Sequence, residues 1–417
     1  MVRYTISFLF IILLTANLIF PPLALAEVKL QTPSLSQIQT TAQSISPKAA
    51  LERLFISKQI QPEWFASDFL AQISIAQIRQ VIAKLKNQLG TYQGIQNNAQ
   101  DFLVLFSQAS VPTKIVLNTK GQISGLLFQP PQAKVISLEE ALAQFKALPG
   151  KVSFLVQEGK TTKAALNTTI PLAVGSAFKL AVLQALKSEI ASGKRTWKDV
   201  VQLQPTEKSL PSGMLQTWPD GSYLTVQTLA SLMISLSDNT ATDILINLLG
   251  RQEIEPVSPR NRPFLTTREL FVLKGSGNRN LLKRYQTSNE SQRRTILKEI
   301  AKKPLPDVNE FVGTNPVALD IEWFFTAEEL CKLIGQVADL PLMSINPGVA
   351  NADNWQQVAY KGGSEPGVLN LTTWLQAKNG KNYCVVATVN NSNAPIEESK
   401  FMALYSGVLA KLAHEEI

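Results

Sequence analysis

Histidine is almost absent from this 417-residue chain, whose single His414 stands close to the C-terminal end. Catalysis by a Ser-His-Asp or Cys-His set would have to use that residue, so we do not expect it. His414 is better explained as a cation near the end of a helix. Cysteine is equally scarce, and Cys331 and Cys384 show neither metal-ligand spacing nor a Cys-x-x-Cys motif. The sequence therefore predicts no structural zinc site.

The two cysteines leave two states open. Cys331 lies in the helix-like "AEELCKLI" and Cys384 in the strand-like "NYCVVATV". Buried free thiols are common in such apolar settings. Export to an oxidising compartment would instead allow the two residues to pair. The sequence favours two buried free thiols over a disulfide.

Long apolar runs are also rare, and the one at the beginning of the chain is short. Arg3 precedes an apolar run over 6–20, which is followed by an Ala-x-Ala site at Ala24 and Ala26. The run falls short of the roughly 20 residues that span a bilayer. This pattern predicts a signal peptide, residues 1–26, that is cleaved after Ala26. The mature protein is then periplasmic or secreted and has no stable membrane anchor.

Positive charge is in excess but is not concentrated in any one segment. The formal net charge is +8, yet lysine and arginine form no stripe with interleaved aromatic residues. Nucleic acid is therefore not expected as a partner, and a soluble basic surface explains the excess. The length predicts two domains, each with enough apolar residues for a core of its own.

The order of the apolar patterns divides the chain near residue 134. Residues 27–134 show helical periodicity first and then the hairpin-like "KIVLNTKGQISGLLF", which predicts a small α+β domain. Proline-rich "QPPQAKV" and a capping box that begins at Ser137 mark the joint. Residues 135–417 run from a strand through a block of helices to further strands and a final helix. This order predicts an α+β domain in which helices pack on an antiparallel sheet beside a helical subdomain.

One apolar helix-like segment, "VGSAFKLAVLQAL", carries Ser176 and Lys179 three residues apart. This spacing places both side chains on one face of a helix. The apolar neighbours could desolvate the amine and lower its pKa far enough for it to take the serine proton. Alone, such a pair is more often part of a solvated helix face, so the interpretation needs support from other segments.

Two later segments supply that support. "SLSDNTATD" contains Ser237, Asp238 and Asn239, and "VAYKGGSEPG" contains Lys361 followed by Gly-Gly-Ser. Together with the Ser-x-x-Lys pair, and in this order, they resemble the three motifs of penicilloyl-serine transferases, the class A β-lactamases and penicillin-binding proteins. The resemblance covers roughly 151–417 and implies an acyl-enzyme mechanism without a cofactor.

The resemblance implies a role for each motif position. Ser176 would be the acylated nucleophile and Lys179 its base. Ser237 would relay a proton to the leaving group, while Lys361 would hold Ser237 and attract a substrate carboxylate. Asp238 would be buried and structural. The residues implied in substrate binding or in stabilising the oxyanion are Asn239, Gly363 and Ser364, together with the backbone amide of Ser176.

The sequence departs from the family pattern at two places. Gly362 stands where the family usually has threonine or serine, so a hydroxyl that helps to hold the substrate carboxylate is missing. The Glu-x-x-Leu-Asn loop that activates the deacylating water in class A enzymes is also absent. Glu269 and Glu322 could replace the missing glutamate as far as their side-chain chemistry is concerned, but neither stands in a matching motif. Glu269 is expected to face solvent, whereas the aromatic neighbours of Glu322 would raise its pKa and suit it to line the site.

Several further segments resemble one branch of the family. "LPSGMLQTWPDG", "SDNTATD", "PFLTTRELF" and "IEWF" are similar to the β-lactamase-like proteins of clavulanic-acid gene clusters. This resemblance implies that 27–134 has a fold similar to steroid isomerases and nuclear transport factors. Trp218, in the first of these segments, either lines the substrate cleft or anchors its own loop. The charged stretch 275–306 is an insertion that predicts a solvated pair of helices.

Three functions remain open. The leading prediction is an exported serine hydrolase that acts on a small-molecule acyl substrate, a β-lactam, ester or amide, with slow turnover of β-lactams. The first alternative is a cell-wall D-alanyl peptidase or a penicillin-binding sensor. The second is a ligand-binding protein with a relic hydrolase domain. The set of Ser176, Lys179, Ser237 and Lys361 argues against a relic, because a relic has no chemical reason to keep all four.

Overall fold

The structure is a computed structural model that describes residues 45–98, 101–129, 131–311 and 315–415. The predicted signal peptide and its cleavage site at Ala26 lie outside the described residues. The chain divides into two compact units between Lys134 and Val135.

The first unit consists of helices followed by an antiparallel sheet, in the order that the sequence predicts. Its elements are α1 (Pro47–Ile56), α2 (Ser67–Leu70), α3 (Ile75–Leu89), β1 (Tyr92–Asn98), β2 (Asp101–Phe106), β3 (Ala109–Leu117), β4 (Ile123–Phe128) and β5 (Gln132–Ala133). The strands β1 to β4 pair in chain order, and β5 pairs with β3. Apolar side chains of the helices and of the sheet form one core. The similarity of this unit to the steroid isomerase fold stays a prediction.

The second unit carries the three motifs. Its elements are α4 (Leu138–Lys146), β6 (Lys151–Glu158), β7 (Thr161–Leu166), β8 (Leu172–Ala173), α5 (Lys179–Ala191), β9 (Val200–Gln202), β10 (Tyr223–Thr225), α6 (Val226–Ser235), α7 (Asn239–Leu249), α8 (Arg251–Ile254), α9 (Thr267–Lys274), α10 (Arg279–Thr287), α11 (Glu290–Ile300), β11 (Phe324–Phe325), α12 (Ala327–Val337), β12 (Gln357–Glu365), β13 (Val368–Gln376), β14 (Asn382–Asn390) and α13 (Glu398–Glu415). Short 3₁₀ turns connect several of them.

A five-stranded sheet in the order β12, β13, β14, β6, β7 forms the centre of this unit, and every pairing in it is antiparallel. The core between the sheet and the two helices α4 and α13 is built on Phe145, Phe154 and Phe401. The other face packs on α12, which in turn packs on α5. The predicted α+β architecture with an antiparallel sheet is therefore confirmed for this unit.

Helix α5 lies at the centre of the helical part, and most of its side chains on all sides are buried. A helix that is apolar all round belongs inside a protein rather than on its surface. Helices α6 and α7 pack on each other, and α7 also packs on α5. The insertion that the sequence predicts as a pair of helices is observed as α10 and α11.

The expectation of two free thiols is wrong, because Cys331 and Cys384 form a disulfide with their Cα atoms 5.8 Å apart. Cys331 lies on α12 and Cys384 on β14, and these two elements pack face to face. Apolar surroundings explain why each cysteine is buried, but whether the two meet depends on the packing of distant segments.

We also searched the described residues for membrane spans. None of their helices is both long enough and apolar enough to cross a membrane.

Candidate active site

The Ser-x-x-Lys pair lies where a 3₁₀ turn, Gly175–Phe178, leads into α5. Gly175 has φ +49°, a left-handed conformation that glycine adopts without strain. Ser176 remains partly exposed, whereas Lys179, the first residue of α5, is fully buried. The turn therefore presents the serine to solvent and takes the lysine amine out of it.

The Lys179 amine contacts the second motif. Its Nζ donates to the carbonyl oxygen of Ser237 at 2.6 Å and to Oδ1 of Asn239 at 2.7 Å, and it lies 3.2 Å from Oγ of Ser237. Burial lowers the pKa of Lys179 to about 7, although the charges of Asp238, Asp243 and Glu365 oppose the shift. A neutral amine has two N–H donors and one lone pair. Because the Ser237 carbonyl and the Asn239 amide oxygen accept both donors, the lone pair is left for the hydroxyl of Ser237, whose Oγ lies within hydrogen-bond distance.

Ser237 itself occupies a strained turn. Its φ of +55° lies in the left-handed region, which is uncommon for a residue other than glycine. The preceding loop braces this turn, since Ser212 Oγ donates to the Ser237 carbonyl at 2.6 Å and the Ser212 carbonyl accepts from the Asn239 amide at 3.0 Å. Sequence reasoning missed Ser212 because its contact depends on how two separate loops meet.

Asp238 is buried in this turn and is hydrogen-bonded to the backbone. It caps α7 by accepting from the Ala241 amide at 2.8 Å, and it also accepts from the amides of Met214 and Leu215. These bonds leave the carboxylate no part in proton transfer. The structural role that the resemblance implies for Asp238 matches this geometry.

Lys361 approaches Ser237 from the opposite side. It lies on β12, one of the two edge strands of the sheet, and its Nζ donates to Oγ of Ser237 at 3.0 Å and to the carbonyl of Gly362 at 2.5 Å. Burial and the nearby Lys179 both lower the pKa of Lys361. The hydroxyl of Ser237 therefore bridges two lysine amines, an arrangement in which a proton can pass between them.

Strand β12 also packs directly on the nucleophile turn. A Cβ atom on Gly363 would collide with the Val174 carbonyl and the Ser176 amide, and one on Gly175 would lie 3.0 Å from the Ser364 amide. Only glycine allows the two backbones to approach so closely. The amides of Ser176 and Ser364 are consequently neighbours, as an oxyanion hole requires.

The hydroxyl missing at Gly362 has a steric explanation. A Cβ atom at this position would collide with the phenol oxygen of Tyr360, which lies on the same side of β12. Tyr360 is held there by its ring, which packs against Gly348. A threonine at position 362 is therefore incompatible with the present position of Tyr360.

Glu269 does not face solvent, contrary to the sequence expectation. It is buried, it caps α9 together with Thr266, and it forms an ion pair with Arg251 at 2.9 Å. Trp218 is half-buried and packs against the core of the second unit. This packing matches the anchoring alternative, and lining of a substrate cleft stays a prediction.

Glu322 lies in a buried ionic cluster that sequence reasoning did not foresee. Lys274, the last residue of α9, forms ion pairs with both Glu322 and Glu365, the latter at 2.6 Å. Burial and the neighbouring Glu365 raise the pKa of Glu322 to about 8, although Lys274 opposes the shift. Trp323, the next residue, stacks on Phe178 with ring centroids 3.7 Å apart. The cluster therefore adjoins the turn that carries the nucleophile.

The second unit matches a known family over part of its length. Residues 137–268 match the model of the beta-lactamase enzyme family. This stretch of the chain is β-lactamase-like. It contains Ser176, Lys179, Ser237 and Asn239, whereas Lys361 lies beyond it.

One curated relative and two solved structures illustrate the similarity. The β-lactamase VEB-1 of Pseudomonas aeruginosa is 28% identical over 118 residues, which are 28% of this chain and 38% of that protein. A β-lactamase structure from Sphaerobacter thermophilus has a TM-score of 0.47 at 21% identity and covers 66% of this chain and 95% of its own. The structure of PBP-A has a TM-score of 0.45 at 17% identity, and the match covers 69% of this chain and 99% of the PBP-A chain.

Proposed function

We propose that this protein is an exported serine hydrolase that forms an acyl-enzyme at Ser176, with Lys179 as the base. The observation that carries this proposal is the fully buried Lys179 amine three residues from Ser176, because burial lowers its pKa to about 7 and suits it to take the serine proton near neutral pH. The substrate class that we propose is a β-lactam, ester or amide of modest size, with slow turnover of β-lactams.

Acylation would proceed through the groups described above. Lys179 takes the proton of the Ser176 hydroxyl, Oγ attacks the substrate carbonyl carbon, and the oxyanion binds the amides of Ser176 and Ser364. When the tetrahedral intermediate collapses, the proton passes from Lys179 through the hydroxyl of Ser237 to the leaving group. Lys361, on the other side of that hydroxyl, keeps it oriented and offers positive charge to an anionic substrate.

Substrate contacts are proposed for the remaining motif residues. Oδ1 of Asn239 is occupied by Lys179 and its Nδ2 donates to the Leu210 carbonyl at 3.0 Å, which leaves one N–H for a substrate carbonyl. Gly363 leaves the acyl group room against the backbone of β12. Trp218 and Glu322 are proposed only as residues near the cleft.

Location and the role of the first unit are also proposals. The disulfide supports export, because structural disulfides persist in oxidising compartments and are rare in the cytosol. We propose that cleavage after Ala26 releases the protein to the periplasm or the medium. For 27–134 we propose a fold similar to steroid isomerases, on the basis of its helices-then-sheet order.

The experiment that tests this function measures turnover and covalent labelling together. Nitrocefin and p-nitrophenyl acetate report β-lactam and ester hydrolysis, and intact mass reports acylation by penicillin. We expect the wild type to gain the mass of penicillin and to turn over the substrates slowly. Ser176→Ala should show no mass gain and no turnover. Stable acylation with release of D-alanine from a pentapeptide would favour the cell-wall peptidase instead. The absence of any turnover and any adduct would refute an acyl-enzyme.

A further inference from the structure

Glu365 lies in line with two residues of the candidate site. Lys361, Gly363 and Glu365 alternate along β12, so their side-chain positions share one face of the strand. Lys361 reaches Ser237, and Gly363 packs on the backbone of Ser176. At about 3.3 Å per residue, Glu365 begins about 7 Å beyond Gly363, in the direction away from Lys361.

The charge of Glu365 acts on the base. It is one of three negative charges that oppose the lowering of the Lys179 pKa. Glu365 is also more accessible to water than its partners. Its side chain is 18% exposed, whereas that of Glu322 is 0% exposed.

A buried cluster holds the Glu365 carboxylate in place. Lys274 donates to Oε2 of Glu365 at 2.6 Å and also binds Glu322. The second oxygen of Glu322 is buried and accepts no hydrogen bond from the described residues. Because burial and the neighbouring Glu365 raise the pKa of Glu322 to about 8, Glu322 can hold a proton on that oxygen at neutral pH.

The two other carboxylates that act on Lys179 are engaged elsewhere. Asp238 accepts from three backbone amides and is fully buried. Asp243 is also buried and accepts from the amides of Thr267 and Arg268 at the beginning of α9. Among these three carboxylates, Glu365 is therefore the one whose side chain is partly exposed.

We propose that Glu365 is the general base that activates water for hydrolysis of the acyl-enzyme, while Lys274 and Glu322 position it. This inference rests on the proposed function. The Glu365 carboxylate takes one proton from water, and the resulting hydroxide bonds to the acyl carbon of the Ser176 ester. The oxyanion binds the amides of Ser176 and Ser364. Collapse breaks the bond between the acyl carbon and Oγ, Oγ receives the proton back from Glu365, and the product leaves as a carboxylic acid.

The test separates acylation from deacylation in the full-length protein. Wild type and Glu365→Gln are labelled with penicillin G, the excess is removed, and the Ser176 adduct is followed by intact mass. The glutamine keeps the shape but cannot take a proton. We expect penicillin G to label both proteins. The adduct should last about 100-fold longer in the variant, which is the smallest rate loss expected when a general base is removed.

Two further variants keep the test decisive. Glu158→Gln is the matched control, because Glu158 also ends a strand of this sheet and pairs with a lysine, Lys163, at 2.8 Å. Its adduct lifetime should equal that of the wild type. Glu365→Asp keeps the charge that Lys274 needs but withdraws the carboxylate by one methylene. If Glu365→Gln fails to fold, a prolonged adduct in Glu365→Asp supports the proposal.

Each outcome distinguishes the inference from the function on which it rests. If the wild type is not labelled at Ser176, the proposed function fails. If the wild type and the Glu365 variants are labelled alike and lose the adduct at the same rate, the function stands and the role of Glu365 is overturned.

Discussion

The chemistry of the site depends on how a few polar atoms share hydrogen bonds away from water. Lys179 is buried with both donors accepted by oxygen atoms, and the Ser237 hydroxyl lies within hydrogen-bond distance of two amines. Two ammonium groups around one hydroxyl repel each other, which favours loss of a proton from one of them. At the residue scale, burial thus converts a lysine into a base near neutral pH.

The first prediction concerns pH. Because the amine of Lys179 must be neutral to act as a base, acylation of Ser176 should accelerate as pH rises through about 7, the pKa of Lys179. Well below this pH the rate should change about tenfold per pH unit. Rapid-quench intact mass with penicillin G between pH 5 and 9 measures it. A rate that does not change over this range would contradict the assignment of Lys179 as the base.

The second prediction concerns Ser212. Ser212→Ala removes the donor to the Ser237 carbonyl and should cost about 1 kcal/mol of stability, the net value of a hydrogen bond. Relaxation of the strained turn should also move Ser237 and slow acylation several-fold. Urea unfolding and the labelling rate measure the two effects. Ser222→Ala is the control, because the Ser222 hydroxyl donates to the Pro219 carbonyl within its own loop. Equal labelling rates in both variants would exclude a positioning role.

The limits of sequence reasoning are clear at this scale. Of the residues that the three motifs predict, the structure brings the amines of Lys179 and Lys361 together at the Ser237 hydroxyl. Glu365 and Ser212 escaped prediction because their roles depend on contacts between segments far apart in the chain. Glu269 was misjudged for the same reason, since its partner Arg251 lies 18 positions earlier.

At the scale of elements, the edge strand β12 is the component that assembles the site. It carries Lys361 to Ser237, places Gly363 on the nucleophile turn and ends at Glu365 in the buried cluster. The sequence predicts this strand together with β6, β13 and β14, because their apolar runs and glycine punctuation are local signals, but it does not predict β7. It does not predict their order in the sheet, which depends on contacts distant in sequence.

The third prediction tests the close approach of β12. A Cβ atom in Gly363→Ala would meet the backbone at Val174, Ser176 and Ala177, and backbone atoms cannot rotate away as a flexible side chain does. The strand should move, and the acylation rate should fall by about 100-fold. Gly277→Ala is the matched control, because a Cβ atom at Gly277 meets nothing within 4 Å. A labelling rate for Gly363→Ala equal to that of the control would show that the contact does not limit the site.

At the scale of the whole molecule, each unit has its own core, and the described candidate site residues lie in the second unit. The boundary of the first unit follows from local signals, namely the proline-rich joint and the cap at Ser137. The pairing of the cysteines does not follow from local signals, because it depends on how α12 and β14 pack on each other.

The fourth prediction concerns the disulfide between Cys331 and Cys384, which closes a loop of 53 residues. Reduction should lower the free energy of unfolding of the second unit by about 2 to 4 kcal/mol. Urea unfolding with and without dithiothreitol measures this change. The sequence has no other cysteines, so the Cys331→Ala/Cys384→Ala double variant should not respond to the reductant. An unchanged midpoint in the reduced wild type would show that the bond contributes no stability.

The measurement that tests the central claim most directly is peptide-level mass spectrometry of the full-length protein after exposure to penicillin G and to an activated ester. The account predicts one covalent adduct, mapped to Ser176, that is absent from Ser176→Ala and strongly slowed in Lys179→Met. An adduct on another residue, or equal labelling of Ser176→Ala, would contradict it.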